Sequence, residues 1–116
     1  MLFRSGGINI MPARVEEVLL AHRGVAECAV VGVPDAEWGE RVQAFIVRAD
    51  PALDAAALGQ HVRASDLSPY QRPRAYAFVT ELPRTPTNKV LRRALREAAQ
   101  RGVGETPSNQ PATEKT

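Results

Sequence analysis

The sequence predicts a small α+β domain, in which an N-terminal β-hairpin and a three-stranded sheet pack with about three helices. Its 116 residues, 44% of them hydrophobic, are enough for one modest core. The apolar residues follow two periods along the chain, one typical of strands and one typical of helices. The resulting order is hairpin, helix, two strands, helix, strand, helix, and no internal repeat is visible.

The first ten residues place short apolar stretches on either side of Gly6 and Gly7. This pattern predicts a tight hairpin, or an extended strand whose backbone another group can approach closely. Pro12 then stands where a first helical residue belongs, and Gly24 ends the helix. The buried face of that helix is predicted from residues at helical spacing: Val15, Val18, Leu19 and His22.

Two strands are expected next, from Val25 to Val33 and from Val42 to Val47, because both runs are rich in β-branched residues. The segment PDAEWGE between them has the composition of a turn, so the strands should pair as neighbours. Asp54 is a plausible N-cap for a second helix, in which Leu58 and Val62 share one face.

The last part of the domain is predicted to hold a third strand and a final helix. RAYAFVTEL alternates apolar residues after a proline-punctuated loop, which favours a strand. The helix is expected from about Val90 to Gln100, with an apolar stripe of four residues: Leu91, Ala94, Leu95 and Ala98. The folded domain is therefore expected over residues 11–101, and residues 102–116 are expected to form a disordered tail.

Composition argues against a general nucleic-acid binder. Lys and Arg number 15 against 13 Asp and Glu, so the net charge is only +2, and aromatic residues make up 5%. The basic surplus is local, and it falls in one segment: Arg84, Lys89, Arg92, Arg93 and Arg96. Such a patch suits a phosphorylated small molecule, although a solvated helix face is the commoner explanation.

The single cysteine, Cys28, lies in an apolar run and is expected to be a buried core residue. It can form no internal disulfide, and it has no companion cysteine for a metal site. No apolar run approaches the roughly 20 residues that span a bilayer, and the N-terminus lacks the apolar core of a signal peptide. We therefore expect a cytoplasmic protein.

Three segments together resemble one known family: SGGINIMPARVEEVL, AVVGVPDAEWGERVQAFIV and LSPYQRPRAYAFVTELPRTPTNKVLRRAL. They are similar to the C-terminal domain of the adenylate-forming enzymes, which include acyl- and aryl-CoA synthetases, nonribosomal adenylation domains and luciferases. The resemblance runs from about Ser5 to about Leu95. It implies a small lid that closes over a large N-terminal domain in two orientations, one for adenylation and one for the second half-reaction.

By this resemblance, Lys89 matches the adenylation lysine, and Gly7, next to Gly6, matches the glycine of the strand that lines the pantetheine channel. The chemistry supports both roles. A mobile cation stabilises the charge that builds up when a carboxylate attacks the α-phosphate of ATP, and a missing Cβ lets pantetheine approach the backbone. The usual pattern has Gly before the lysine, but this chain has Asn88, which tolerates left-handed backbone geometry. Asn9 could add a polar contact or make a structural hydrogen bond.

Other candidate residues keep two readings each. Arg92 and Arg93 could bind the phosphates of CoA, or they could lie on a solvated helix face. Glu16 and its neighbour are expected to be solvated or to face another domain, and Trp38 is expected to serve folding or domain docking.

The chain lacks a phosphate loop, an adenine pocket and acidic Mg²⁺ ligands. The resemblance therefore implies that a separate N-terminal AMP-binding domain binds ATP, Mg²⁺ and the carboxylic acid, that CoA is a co-substrate, and that no metal or cofactor is bound by this chain alone. We expect no ligase turnover from this chain by itself.

The leading hypothesis is the lid of an ATP-dependent acyl-CoA synthetase. The lid of a carrier-protein-loading adenylation domain and a non-catalytic interaction module with the same fold are the alternatives. Nucleic-acid binding through residues 84–101 is disfavoured. The identity of the acid, the choice between CoA and a carrier protein, and the oligomeric state stay open.

Overall fold

The computed structural model describes residues 3–102 and Gly104, and it confirms the predicted α+β domain. The expected disordered tail lies mostly outside the described residues, since residue 103 and residues 105–116 are not among them. The elements in chain order are β1 Phe3–Ser5, β2 Ile8–Ile10, α1 Pro12–Leu20, β3 Val25–Asp35, β4 Gly39–Arg48, α2 Ala55–Arg63, β5 Ala75–Phe78 and α3 Arg92–Gln100.

The strands form two sheets. The hairpin β1–β2 is a two-stranded sheet, in which Phe3 lies opposite Ile10. The larger sheet has the order β3-β4-β5. Its β3 and β4 strands are antiparallel neighbours, as expected, whereas β5 runs parallel to β4. A parallel neighbour requires a crossover connection, and this crossover contains α2.

The core has one layer on each face of the larger sheet. On one face, α1 and α2 bury apolar residues that include Leu19, Leu58, Ile46 and Tyr76. On the other face, Leu95 and Ala99 of α3 pack against Phe45 and its neighbours. Of the apolar stripe predicted for the last helix, Leu95 is buried as expected, while Leu91, Ala94 and Ala98 are only partly buried.

Two helix boundaries differ from the prediction for local reasons. Helix α1 ends at Leu20, so His22 lies outside it, and its Nδ1 accepts a hydrogen bond from the Gly24 N–H (2.9 Å). Helix α3 begins at Arg92 and not at Val90, because Val90 forms an antiparallel bridge with Arg84. The predicted N-cap of α2 is confirmed: Asp54 Oδ1 accepts a hydrogen bond from the Ala57 N–H (2.9 Å).

Strands β3 and β4 form a two-stranded antiparallel unit, called here the β3–β4 ribbon, which is longer than predicted. It continues into the expected turn, where Asp35 pairs with Gly39. The sequence analysis expected Cys28 to be buried in the core, but on β3 it is only half-buried. Its Sγ lies 3.6 Å from the carbonyl oxygen of Glu16. None of the described helices has the length and apolar character needed to cross a bilayer.

Candidate functional site

Lys89 lies on a tight loop between β5 and α3, called here the lysine loop (residues 84–90). The Thr85 N–H donates to the Lys89 carbonyl (2.7 Å), and the Asn88 N–H donates to the Thr85 carbonyl (2.8 Å). Pro86 follows Thr85, and its fixed φ suits the first central position of such a turn. The loop is thus a short hairpin with defined backbone geometry.

Asn88 takes the left-handed conformation that the turn requires. Its φ is +70°, and it is the only non-glycine residue with positive φ in the described part of the chain. Asn is among the residues that adopt this region most readily, and a left-handed residue after a type I turn is a common way to close a three-residue hairpin loop. The structure therefore confirms that Asn88 supports this geometry.

The Lys89 side chain is exposed. Its backbone N–H donates to Thr85 Oγ1 (3.2 Å), and Thr85 Oγ1 also lies 2.9 Å from Thr87 Oγ1. Within residues 3–102 and Gly104, no hydrogen bond or ion pair holds the amine of Lys89. The loop thus fixes the backbone of Lys89 and leaves its cation accessible to a partner.

Two arginines connect the lysine loop and α3 to the rest of the domain. Arg84 donates to Glu27 Oε1 (2.9 Å) and to the Asn88 carbonyl (3.1 Å). Arg92 donates to Glu16 Oε2 (3.0 Å) and to the Val30 carbonyl (2.7 Å). Glu16 therefore pairs within the domain and is only 17% exposed, so the solvated position predicted from sequence is wrong, while the predicted contact with another domain stays a prediction.

The hairpin β1–β2, called here the glycine hairpin, turns at Gly6 and Gly7. Both have positive φ, +58° and +82°, as a two-residue hairpin turn requires. The two glycines differ in their surroundings. A Cβ on Gly6 would lie 2.3 Å from the ring of Tyr70, and the Gly6 N–H donates to the Trp38 carbonyl (2.9 Å). A Cβ on Gly7 would meet no atom within 4 Å.

Gly6 is thus required by packing, while the open space at Gly7 leaves its backbone accessible. The Gly7 carbonyl is held by the Arg4 guanidinium at 3.1 Å. Asn9 is exposed on β2. Arg93 is exposed on α3, whereas the guanidinium of Arg92 is engaged by Glu16 and Val30.

An arginine-lined cleft lies beside the glycine hairpin, and the sequence analysis missed it. The cleft has a volume of about 330 Å³ and is lined by Trp38, Gly59, Val62, Arg63, Pro69, Arg72, Pro73, Arg74 and Tyr76. The Arg74 guanidinium lies over the Trp38 ring at 4.1 Å, and Trp38 packs edge-on against Tyr70 at 4.9 Å. These residues come from three separate segments, so no local motif could reveal the cleft.

Asp35 shapes the turn that carries Trp38. Its Oδ1 accepts hydrogen bonds from the N–H groups of Trp38 and Glu37, each at 2.9 Å. These two bonds, with a smaller contribution from Arg41 and Arg74, hold the pKa of the Asp35 carboxyl below its usual value. The described residues contain no group of three or more His, Cys, Asp or Glu side chains placed to hold a metal ion.

The lysine loop and the glycine hairpin lie at opposite ends of the β3–β4 ribbon. Arg84 anchors the lysine loop to Glu27 near the start of β3, while Gly6 bonds to Trp38 just beyond its end at Asp35. A strand rises about 3.3 Å per residue, so these two anchor points are on the order of 26 Å apart. The two anchor points are therefore too far apart for one side chain to reach both.

Comparison with known proteins shows the family of this domain. Residues 14–89 match the model of the AMP-binding enzyme C-terminal domain, and the chain belongs to this family. It is 50% identical over 93 residues to a 4-chlorobenzoate–CoA ligase of Pseudomonas sp. (strain CBS-3), covering 78% of this chain and 17% of the ligase. It is 44% identical over 92 residues to the fatty acid–[acyl-carrier-protein] ligase ScoC of Streptomyces coeruleorubidus, covering 78% of this chain and 18% of the ligase.

Solved structures agree with this placement. The o-succinylbenzoate CoA synthetase of Bacillus subtilis, in complex with its acyl-adenylate intermediate, superposes with a TM-score of 0.79 at 39% identity, covering 90% of this chain and 20% of that one. The chain thus spans about a fifth of the length of the relatives that it matches.

Proposed function

We propose that the chain acts as the C-terminal lid domain of an ATP-dependent acyl-CoA ligase. In the first step a carboxylate oxygen attacks the α-phosphorus of ATP and pyrophosphate leaves. In the second step the thiol of CoA, losing its proton, attacks the acyl carbonyl and AMP leaves. The observation that carries the proposal is the exposed amine of Lys89, which has no hydrogen bond or ion pair among the described residues and lies on a loop of defined shape, in a chain that belongs to this family.

Lys89 is proposed to act in the first step. The attacking carboxylate and the α-phosphate are both anions, so a cation placed between them lowers the energy of the transition state. Lysine suits this task because its ammonium is a compact charge on a flexible stem. The backbone bonds of Thr85 and Asn88 fix the point from which that stem extends.

The glycine hairpin is proposed to act in the second step. The open space at Gly7 lets a thin chain such as pantetheine pass close to the backbone. Asn9 is exposed on the same hairpin and is proposed as a polar contact for this chain. Gly6 contributes by keeping Tyr70 and Trp38 packed beside the channel.

The arginine-lined cleft is proposed to bind the phosphates of CoA. It adjoins the glycine hairpin through Tyr70 and Trp38, and it brings Arg63, Arg72 and Arg74 to one surface. Arginine is well suited to phosphate, since its planar fork donates two hydrogen bonds at once. Arg92 is a weaker candidate, because its guanidinium donates to both Glu16 and Val30, and exposed Arg93 is proposed as an additional contact.

The partner implied by this proposal is an N-terminal AMP-binding domain, on the same polypeptide or on another one. The two proposed regions lie at opposite ends of the β3–β4 ribbon, so the lid would have to turn between the two steps. We propose that this partner domain binds Mg²⁺ and the carboxylic acid, as the resemblance to the family implies. We propose a cytoplasmic location, where ATP and CoA are available.

Complementation tests this function. The chain is added to the isolated N-terminal domain of the 4-chlorobenzoate–CoA ligase, with 4-chlorobenzoate, ATP, Mg²⁺ and CoA. Adenylation is followed by ATP–pyrophosphate exchange, and thioester formation is followed separately from preformed acyl-adenylate. Lys89→Ala should lower adenylation about 10²- to 10³-fold, because it removes one charge-stabilising donor, and should leave thioester formation unchanged.

The chain offers a matched control, since its only other lysine is Lys115. Lys115→Ala should retain full adenylation, and Gly7→Ala should slow thioester formation while adenylation continues. A non-catalytic interaction module would bind the N-terminal domain but be indifferent to Lys89→Ala, which would refute the proposal. The similarity to ScoC, a ligase whose name specifies an acyl carrier protein, raises a second candidate for the acyl acceptor. Replacing CoA by a phosphopantetheinylated carrier protein in the same assay tests this candidate.

A further inference from the structure

Arg84 occupies an unusual place at the base of the lysine loop. One arm of its guanidinium donates to Glu27 Oε1 (2.9 Å), and the other arm donates to the Asn88 carbonyl (3.1 Å). Glu27 belongs to β3, while Asn88 is the left-handed residue immediately before Lys89. A single side chain therefore connects the edge of the larger sheet to the peptide group that precedes the lysine.

The other hydrogen bonds of the lysine loop lie within the loop. Thr85 bonds to Lys89 and Asn88 through its backbone and its hydroxyl, and these bonds set the shape of the turn. At the end of the loop, Val90 packs against the core between α3 and the sheet. At its start, the contact between Arg84 and Glu27, 57 residues apart in sequence, connects the loop to β3.

The solvent exposure of the Arg84–Glu27 ion pair bears on whether the pair stabilises the fold or orients the loop. The Arg84 and Glu27 side chains are 36% and 51% exposed, and ion pairs so exposed add little to folding stability in measured proteins. The fork geometry of arginine, however, holds two acceptors in a fixed relation, which a lysine could not do with one point charge. The arrangement is therefore better suited to orientation than to stabilisation.

We propose that Arg84 is a positioning residue for Lys89, bridging the Glu27 carboxylate and the Asn88 carbonyl so that the lysine amine is aimed at the reacting groups during adenylation. This inference rests on the proposed function of Lys89. It assigns to Arg84 and Glu27 a joint role in the first half-reaction and no role in the second, because the glycine hairpin lies at the other end of the ribbon.

The first experiment needs no catalysis and uses this chain alone. Backbone ¹⁵N relaxation and amide hydrogen exchange of Lys89 are compared in the unmodified chain, Arg84→Lys and Glu27→Gln. Both variants should increase the mobility of the Lys89 amide and speed its exchange several-fold, since each weakens the bridge. Arg23→Ala is the matched control, because Arg23 is exposed and makes no ion pair with the residues that the structure covers. An unchanged Lys89 amide in both variants would refute the positioning role.

The second experiment uses the complemented ligase described above. Arg84→Ala and Glu27→Gln should each lower the rate of adenylation by roughly 10- to 100-fold, the loss expected when a catalytic group is displaced by about 1 Å. Thioester formation from preformed adenylate should keep its rate, and Arg23→Ala should retain both activities.

The outcomes separate this inference from the proposed function. If Lys89→Ala has no effect, the proposed function fails and the inference fails with it. If Lys89→Ala abolishes adenylation while Arg84→Ala and Glu27→Gln do not, only the positioning role is refuted. If Arg84→Ala is impaired and Glu27→Gln is not, the bridge to Glu27 does not position Lys89, and the joint role of Arg84 and Glu27 is refuted.

Discussion

Replacing Gly6 by alanine should destabilise the domain more than replacing Gly7, although the two glycines are adjacent. Both have positive φ, and a side chain in the left-handed region costs about 1–2 kcal/mol. For Gly7→Ala this backbone cost is the whole expected cost, because a Cβ there meets no atom within 4 Å. A Cβ on Gly6 would lie 2.3 Å from the Tyr70 ring, so the ring must move away.

The displaced Tyr70 adds a second cost. Overpacking of this kind typically costs about 1–3 kcal/mol, so the total for Gly6→Ala is on the order of 2–5 kcal/mol. Urea denaturation followed by far-UV circular dichroism measures the free energy of unfolding of each variant. Fluorescence of Trp38, the single tryptophan, reports separately on the hairpin, because its ring packs against Tyr70.

A double-mutant cycle isolates the contact. In a Tyr70→Ala background the clash is gone, and Gly6→Ala should then cost about as much as Gly7→Ala. The coupling energy between Gly6→Ala and Tyr70→Ala should be about 1–3 kcal/mol. Equal destabilisation by the two glycine substitutions in the presence of Tyr70 would refute this reasoning, as would an excess that persists after Tyr70 is removed.

Two further predictions concern Asn88 and Cys28. Asn88→Gly should keep or raise stability and Asn88→Val should lower it by about 1–2 kcal/mol in urea denaturation, because φ is +70° at this position; a tolerated valine would contradict the left-handed turn. Burial, helped by the charge of Glu16 and opposed by Arg92, raises the pKa of Cys28 from 9.0 to about 12. Its thiolate fraction at pH 8 should thus be about 1,000-fold lower than in the unfolded chain, and iodoacetamide should react correspondingly slowly. The rate should keep rising tenfold per pH unit beyond pH 10, and a plateau near pH 9 would contradict the raised pKa.

The helices and strands of this fold could be predicted from local sequence, because the spacing of apolar residues differs clearly between the two. Val25 to Val33 reads as a buried strand, and the helix capped by Asp54 has its apolar residues one turn apart; both predictions are confirmed. The left-handed residue before Lys89 was also predictable, since Asn tolerates that geometry.

The contacts that shape the site could not be predicted in the same way. Arg84 and Glu27 are separated by 57 residues, and Arg92 and Glu16 by 76. Whether such charges meet depends on strand order and helix packing, and the parallel pairing of β5 with β4 had no local signal. From sequence, Arg92 could bind phosphate or lie on a solvated helix face, and neither alternative included the contacts of its guanidinium with Glu16 and Val30.

The lysine loop and the glycine hairpin are anchored at opposite ends of the β3–β4 ribbon, and this separation limits how far the effect of a substitution extends. A substitution at either end acts through its own neighbours, because none of the described side chains spans the distance between them. If the lysine loop serves adenylation and the glycine hairpin serves thioester formation, as we propose, a substitution can therefore change one reaction without changing the other.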